Sequence, residues 1–183
     1  MVLKFVEQIS REVRGCTKCE LHEGRKNAVP GEGNVSTKMM FIGEAPGREE
    51  DLQGRPFVGT AGKLLSQLLA SINLSRQDVY ITNIVKCRPP KNRPPRVGEI
   101  SACSSYLERQ IRLIDPKVIC LMGNTALKVF LGKDISISRA HGQPARMANR
   151  VIFPLYHPAA VLYDAKLRSV LEEDFKRVAN ETR

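Results

Sequence analysis

Cysteine spacing is the first chemistry this sequence offers. Cys16-Thr17-Lys18-Cys19 is a C-x2-C pair, and Cys87 and Cys103 follow after 67 and 15 intervening residues. Thiolates spaced in this way can converge on a metal. Four of them bind a structural zinc, and four equally bind a 4Fe–4S cluster, so spacing alone does not separate the two. A thioredoxin-like redox pair would want its C-x-x-C directly after a strand, whereas this one follows a helical pattern. Four unrelated free thiols are the structural alternative. Cys120, between Ile119 and Leu121, reads as a small buried hydrophobe. The opening residues carry no export signal, so a disulfide framework is not expected and the expected compartment is cytoplasmic.

Two glycine-rich stretches come next. Gly43-Glu44-Ala45-Pro46-Gly47 follows an apolar run but is not G-x-G-x-x-G, so a dinucleotide fingerprint is absent. Gly54 to Gly59, followed by Thr60, resembles half of a P-loop without its lysine, which argues against a nucleoside triphosphatase. His157 stands in a His-Pro step that closes an apolar run, while His22 and His141 lie in polar loops and read as surface residues. Lys and Arg number 29 against 19 Asp and Glu, a net charge of +10. That excess favours a polyanionic partner such as nucleic acid. A surface tuned for solubility or heat resistance is the plainer explanation. No basic amphipathic helix points to a membrane surface, and no apolar run is long enough to span a bilayer.

The elements that must position these residues follow from hydrophobic periodicity. Helices are predicted over 2–13, 60–72 with Thr60 as the cap, 97–114, 124–131 and 165–179. Short apolar strands are predicted over 39–42, 79–85, 118–122 and 151–156. The stretches 16–37 and 44–58 read as irregular, 88–96 as a Pro-rich basic loop, and 135–150 as a hairpin or extended loop. This alternation predicts one domain over 1–183, a three-layer α/β/α fold with a central, mostly parallel four-stranded sheet. In such a sheet the ligand crevice lies beyond the carboxyl ends of the strands. Residues 43–47, 83–87, 123–125 and 157–160 leave those ends.

Four motifs in this order and spacing carry a family resemblance: Gly43-Glu44-Ala45-Pro46-Gly47; Gly54-Arg55-Pro56-Phe57-Val58-Gly59; Asn83 before Lys86-Cys87-Arg88-Pro89-Pro90; and His157-Pro158-Ala159-Ala160. Together they resemble the family 4 uracil-DNA glycosylases, the thermostable iron–sulfur branch of their superfamily. The resemblance runs from Cys16 to the last helix. It implies hydrolytic excision of uracil from DNA in base excision repair, leaving an abasic site, with the base flipped into a pocket. It also implies a 4Fe–4S cluster on Cys16, Cys19, Cys87 and Cys103.

The resemblance assigns roles residue by residue. Phe57 matches the aromatic on which the base stacks. Asn83 matches the amide that tells uracil from cytosine. His157 matches the catalytic histidine, which donates to O2 of the departing base. Related families place an aspartate where this chain has Ala45, beside the uracil. Glu44 and Glu50 are therefore the candidates for orienting water, and Glu44 also for orienting the base through its backbone. Gly47 stands where other families carry a tyrosine that blocks the methyl of thymine. Arg88, Lys91 and Arg93, with Lys86 and Arg96, form a basic loop for phosphates, as do the amides near Gly59 and Thr60. Val161 and Leu162 fall where the family inserts a wedge into the duplex. Uracil-containing DNA is the expected partner and a monomer the expected state. A sliding clamp is a further expected partner for a repair enzyme, although neither end carries a convincing clamp-binding motif. Two alternatives stand beside this reading. A family 5 type glycosylase of broader base choice would lack the polar side chain that Glu44 supplies. A non-enzymatic, metal-stapled nucleic-acid-binding module would not need Phe57, Asn83 and His157 where they are.

Overall fold

Successive side chains of a strand face opposite sides of a sheet, and the strands of this chain are apolar on both. The computed structural model describes residues 1–181. Its elements are α1 (Val2–Arg14), α2 (Leu21–Gly24), β1 (Glu32–Gly33), β2 (Met39–Gly43), α3 (Arg48–Gln53), α4 (Thr60–Ser71) and β3 (Tyr80–Asn83). There follow α5 (Val97–Ile114), β4 (Val118–Met122), α6 (Asn124–Leu131), α7 (Ile137–Ala140), β5 (Ala145–Met147), β6 (Arg150–Leu155) and α8 (Leu167–Asn180). Met40 and Ile42 of β2 join a core with α1, α5 and α6. Met39 and Phe41, the alternate residues, join a core with α4 and α8. The three layers follow from that alternation. Leu65 and Leu69 of α4 are fully buried, and removing each such side chain from water stabilises the fold by roughly 2 kcal/mol.

The strand order is β1-β3-β2-β4-β6-β5. The inner four strands are parallel, at the predicted places. The sheet as a whole has six strands and is mixed, which corrects the expected four. β1 pairs antiparallel with β3 on one edge, and β5 pairs antiparallel with β6 on the other. Both edge strands are short and half-polar, so they carry no strong period-2 signal. Three further corrections are local. The 44–58 loop contains α3. The cap of α4 is Gly59, not Thr60. Regular pairing of β3 stops at Asn83, although the N–H groups of Ile84 and Val85 still donate to the carbonyls of Gly43 and Glu44. No helix among the described residues is long and apolar enough to cross a membrane.

Candidate active site

The carboxyl ends of the four parallel strands bring together Gly43, Asn83, Gly123 and His157. A Cβ on Gly43 would lie 2.5 Å from Asn83 Oδ1 and 2.6 Å from Phe57 Cζ. The amide and the ring thus converge on a spot that only a glycine leaves open. A Cβ on Gly123 would lie 3.2 Å from His157 Cβ, so this glycine lets the histidine close in from the other side. The rings of Phe57 and His157 stack with centroids 5.4 Å apart. Asn83 is buried, and its Oδ1 has no hydrogen-bond partner among the described residues. Leaving a buried acceptor unsatisfied costs about 1–3 kcal/mol, a cost that a bound donor would remove.

Phe57 sits at φ 52, a backbone region disfavoured for a bulky residue. Several groups hold it there. Arg76 donates through Nη1 to the carbonyl of Phe57 at 2.8 Å and through Nη2 to that of Pro56 at 2.6 Å. Glu32 orients Arg76 and also bonds Arg55. Gly62 removes the clash with α4, since a Cβ there would lie 1.8 Å from the Phe57 carbonyl oxygen. Glu50 closes the loop from the other side. Its Oε1 accepts from the N–H groups of Val58 and Gly59, both at 2.9 Å, and its Oε2 from Gly47 N–H at 3.1 Å. Both oxygens are engaged by backbone. Glu50 thus ties the Gly47 turn to the Val58–Gly59 turn.

His157 Nδ1 accepts from the N–H of Ala159 at 3.1 Å. That bond places the ring proton on Nε2. Burial pushes the pKa of His157 down to about 4, opposed by the nearby Glu50 carboxylate. The imidazole is thus neutral near pH 7, with one N–H to offer. Glu44 Oε2 accepts from the Thr125 hydroxyl at the start of α6. Ala45 packs at the margin of the α1/α5 core.

A second site lies beside the first. Cys16, Cys19, Cys87 and Cys103 are all free thiols and line one pocket with Arg25, Lys86 and Tyr106. Arg25 Nη1 donates to Cys87 Sγ at 3.0 Å, and the N–H of Lys86 to Cys103 Sγ at 3.3 Å. Burial pushes the Cys87 thiol up and the Cys103 thiol to about 11. Among the described residues, no three His, Cys, Asp or Glu side chains gather closely enough to hold a single metal ion. Cys120 is fully buried in β4, away from the pocket. His22 also lines the pocket, its Nδ1 donating to the Cys19 carbonyl, so it is not the plain surface residue expected.

The family model of the Uracil DNA glycosylase superfamily matches residues 30–182. A type-4 uracil-DNA glycosylase of Saccharolobus solfataricus is 51% identical over 182 residues, covering 94% of this chain and 84% of that protein. One from Sulfurisphaera tokodaii is 50% identical, covering 94% and 83%. One from Archaeoglobus fulgidus is 48% identical, covering 96% and 92%. This chain belongs to the type-4 uracil-DNA glycosylases.

The residues proposed to meet DNA fare unevenly. Lys86 is buried and leaves the basic loop altogether. Arg93 makes two hydrogen bonds to Glu99, at 2.9 and 2.6 Å, so it shapes the loop before α5. Arg88 is half-buried and donates to Asn92. Lys91 is exposed and makes no ion pair among the described residues. Val161 packs beside the α4/α8 core, whereas Leu162 is 58% exposed and its neighbour Tyr163 92% exposed. Val161 and Leu162 end the 3-10 turn Pro158–Leu162 that follows His157, and Tyr163 comes just after it. Of the expected wedge pair, Leu162 protrudes and Val161 does not. His141, read as a surface residue, pairs with the buried Asp174 of α8 at 2.9 Å.

Sequence reasoning missed Arg76, Thr125 and the clamp made by Glu50. Glu50 had a readable signal. It is the third residue after Gly47, the spacing at which a Glu reaches back to the N-cap amide. Arg76 and Thr125 gave none, because their partners are 19 and 81 residues away.

Proposed function

We propose that the protein flips uracil out of DNA and hydrolyses its N-glycosidic bond, leaving an abasic site. The observation that carries this reading is the unsatisfied Oδ1 of buried Asn83. Uracil N3–H is a donor that would complete it, while Asn83 Nδ2 donates to uracil O4. Cytosine presents an acceptor at N3 and a donor at N4, so both contacts would fail. Phe57, held rigid by Arg76 and Glu50, forms the stacking face for the base.

Bond cleavage puts negative charge on the leaving base, much of it on O2. His157 donates there from Nε2 as a neutral imidazole, a contact that strengthens as the charge develops. Water adds its hydroxide to the sugar carbon, and its proton neutralises the departing uracil. Glu44, one oxygen held by Thr125, is the carboxylate proposed to orient that water. No strong base is required, because a cation-like sugar captures water readily. Lys91 and Arg88 are proposed to meet phosphates, and Leu162 to fill the gap left by the flipped base.

Cys16, Cys19, Cys87 and Cys103 are the residues that would hold a 4Fe–4S cluster. Each thiolate of such a cluster binds its own iron, so the four sulfurs need not meet at one point. A donor set of four thiols around one pocket, two of them receiving N–H groups, fits that demand. When bound, the group supplies a covalent brace between the loop after α1, the segment after β3, and α5.

Incubation with DNA containing uracil, thymine, hypoxanthine or ethenocytosine, followed by alkaline cleavage, tests the reading. Strand breaks are expected at uracil alone. No breaks at uracil would refute the activity, and equal breaks at hypoxanthine or ethenocytosine would refute the narrow base choice.

A further inference from the structure

Lys86 is fully buried, yet among the described residues no carboxylate pairs with it. Its ammonium makes three hydrogen bonds, all to neutral oxygens: Thr82 Oγ1 at 2.6 Å, Gln110 Oε1 at 2.8 Å and the backbone carbonyl of Asn83 at 2.8 Å. Gln110 is fixed in turn by donating to the Pro30 carbonyl and the Tyr80 hydroxyl. The same Lys86 presents its N–H to Cys103 Sγ, and the next residue is Cys87. A buried ammonium without a counter-charge is a poor device for stability. Its position suits another purpose, because it spans the gap between the two sites of this chain.

We propose that Lys86 is a positioning residue, a strut that ties the four-cysteine pocket to the base-reading amide of Asn83. Asn83 ends β3, where regular ladder pairing ceases. With Oδ1 unsatisfied, its side-chain aim depends on its backbone. Lys86 fixes that backbone from below by holding the carbonyl, three residues back along the chain. Its own backbone is fixed by the sulfur-lined pocket. A group bound on the cysteines would therefore set the register of the segment from Asn83 to Cys87, and with it the direction of the amide. The inference rests on the reading of Asn83 as the group that binds the base edge.

The test uses the iron-loaded protein, with Lys86→Met and Asn83→Ala measured beside wild type. Inhibition by free uracil reports the base-reading contacts, and affinity for abasic DNA reports everything else. Asn83→Ala should abolish inhibition by uracil. Lys86→Met should raise the inhibition constant about tenfold, since three buried acceptors lose their donor. Its abasic-DNA affinity should stay within about twofold, because phosphate contacts are untouched. Iron content should persist, and the midpoint potential of the cluster should move to more negative values as a nearby positive charge is removed. Thr82→Val, which takes away one of the three acceptors, covers the case in which Lys86→Met does not fold. It should raise the inhibition constant about threefold. Wild-type inhibition in Lys86→Met or Thr82→Val, with loss in Asn83→Ala, refutes the strut alone. An unchanged potential refutes its link to the cysteine pocket. Wild-type inhibition in Asn83→Ala refutes the reading of Asn83 itself.

Discussion

Replacing His157 by Ala removes one directed donor and leaves the rest of the pocket in place. The ring is held on both sides, by Ala159 N–H on Nδ1 and by the Phe57 face 5.4 Å away. Its Nε2–H therefore needs no reorganisation to meet a developing anion. One such donor is worth about 3 kcal/mol in the transition state, on the order of a hundredfold in rate. Because the interaction gains most of its strength during cleavage, binding of uracil DNA should fall by no more than a few fold. Single-turnover excision under saturating enzyme separates the two effects. The pH profile adds a second check. With its pKa pushed down to about 4, the ring stays neutral through the usual histidine range, so wild-type excision should stay level from pH 8 to about 5.5 and decline only below that. The unfolded chain protonates this histidine near its ordinary value. Unfolding thus takes up a proton between that value and about 4, and the stability contributed by the neutral ring is lost as pH falls through this window. Single-turnover rates within a few fold of wild type in His157→Ala would refute its catalytic role.

Three further outcomes follow from the same geometry. Cys103→Ser should lose iron and the broad absorbance near ~400 nm, while Cys120→Ser should keep both, measured by iron assay and visible spectrum. Glu50→Gln puts an N–H donor against backbone donors, so the Phe57 loop should loosen and turnover fall roughly tenfold with an unshifted pH profile. An upward shift of the acid limb would instead make Glu50 a titrating catalytic group. Leu162→Ala should slow excision from duplex DNA while leaving the single-strand rate within about twofold, since only the duplex has a gap to fill.

Much of the scaffold was legible because its signals are local. The helices at Val97–Ile114 and Asn124–Leu131 stand where the apolar periodicity placed them. The four parallel strands announced themselves as apolar runs ending at turn residues. β1 was hidden, because a two-residue edge strand has too few positions to show a period, while β5 falls in the stretch read as a hairpin or extended loop and forms a hairpin with β6. α3 was hidden by its charged sequence, Arg48 to Asp51, which reads as a solvated loop. At the site, the motifs brought Asn83, Phe57 and His157 into view, and the structure sets Phe57 against His157 and, at Gly43, beside Asn83. Lys86 shows the limit of reading charge along the chain. In sequence it belongs with Arg88 and Lys91 in a basic loop, but in space it points into the protein, toward Thr82 and Gln110. Charge says that a side chain is costly to bury, and only tertiary structure reveals where that cost is met. Arg93 illustrates the same point, being held by Glu99 six residues on.

The central claim is that the amide of Asn83 reads the base, and Asn83→Asp tests it most directly. A protonated carboxyl group at this position can match cytosine, whereas the amide matches uracil and cannot serve both. Single-turnover excision on uracil and cytosine substrates, with iron content checked in parallel, should show uracil activity largely lost and measurable cytosine excision gained. Unchanged uracil excision in the fully loaded variant would contradict the account and remove Asn83 from the site.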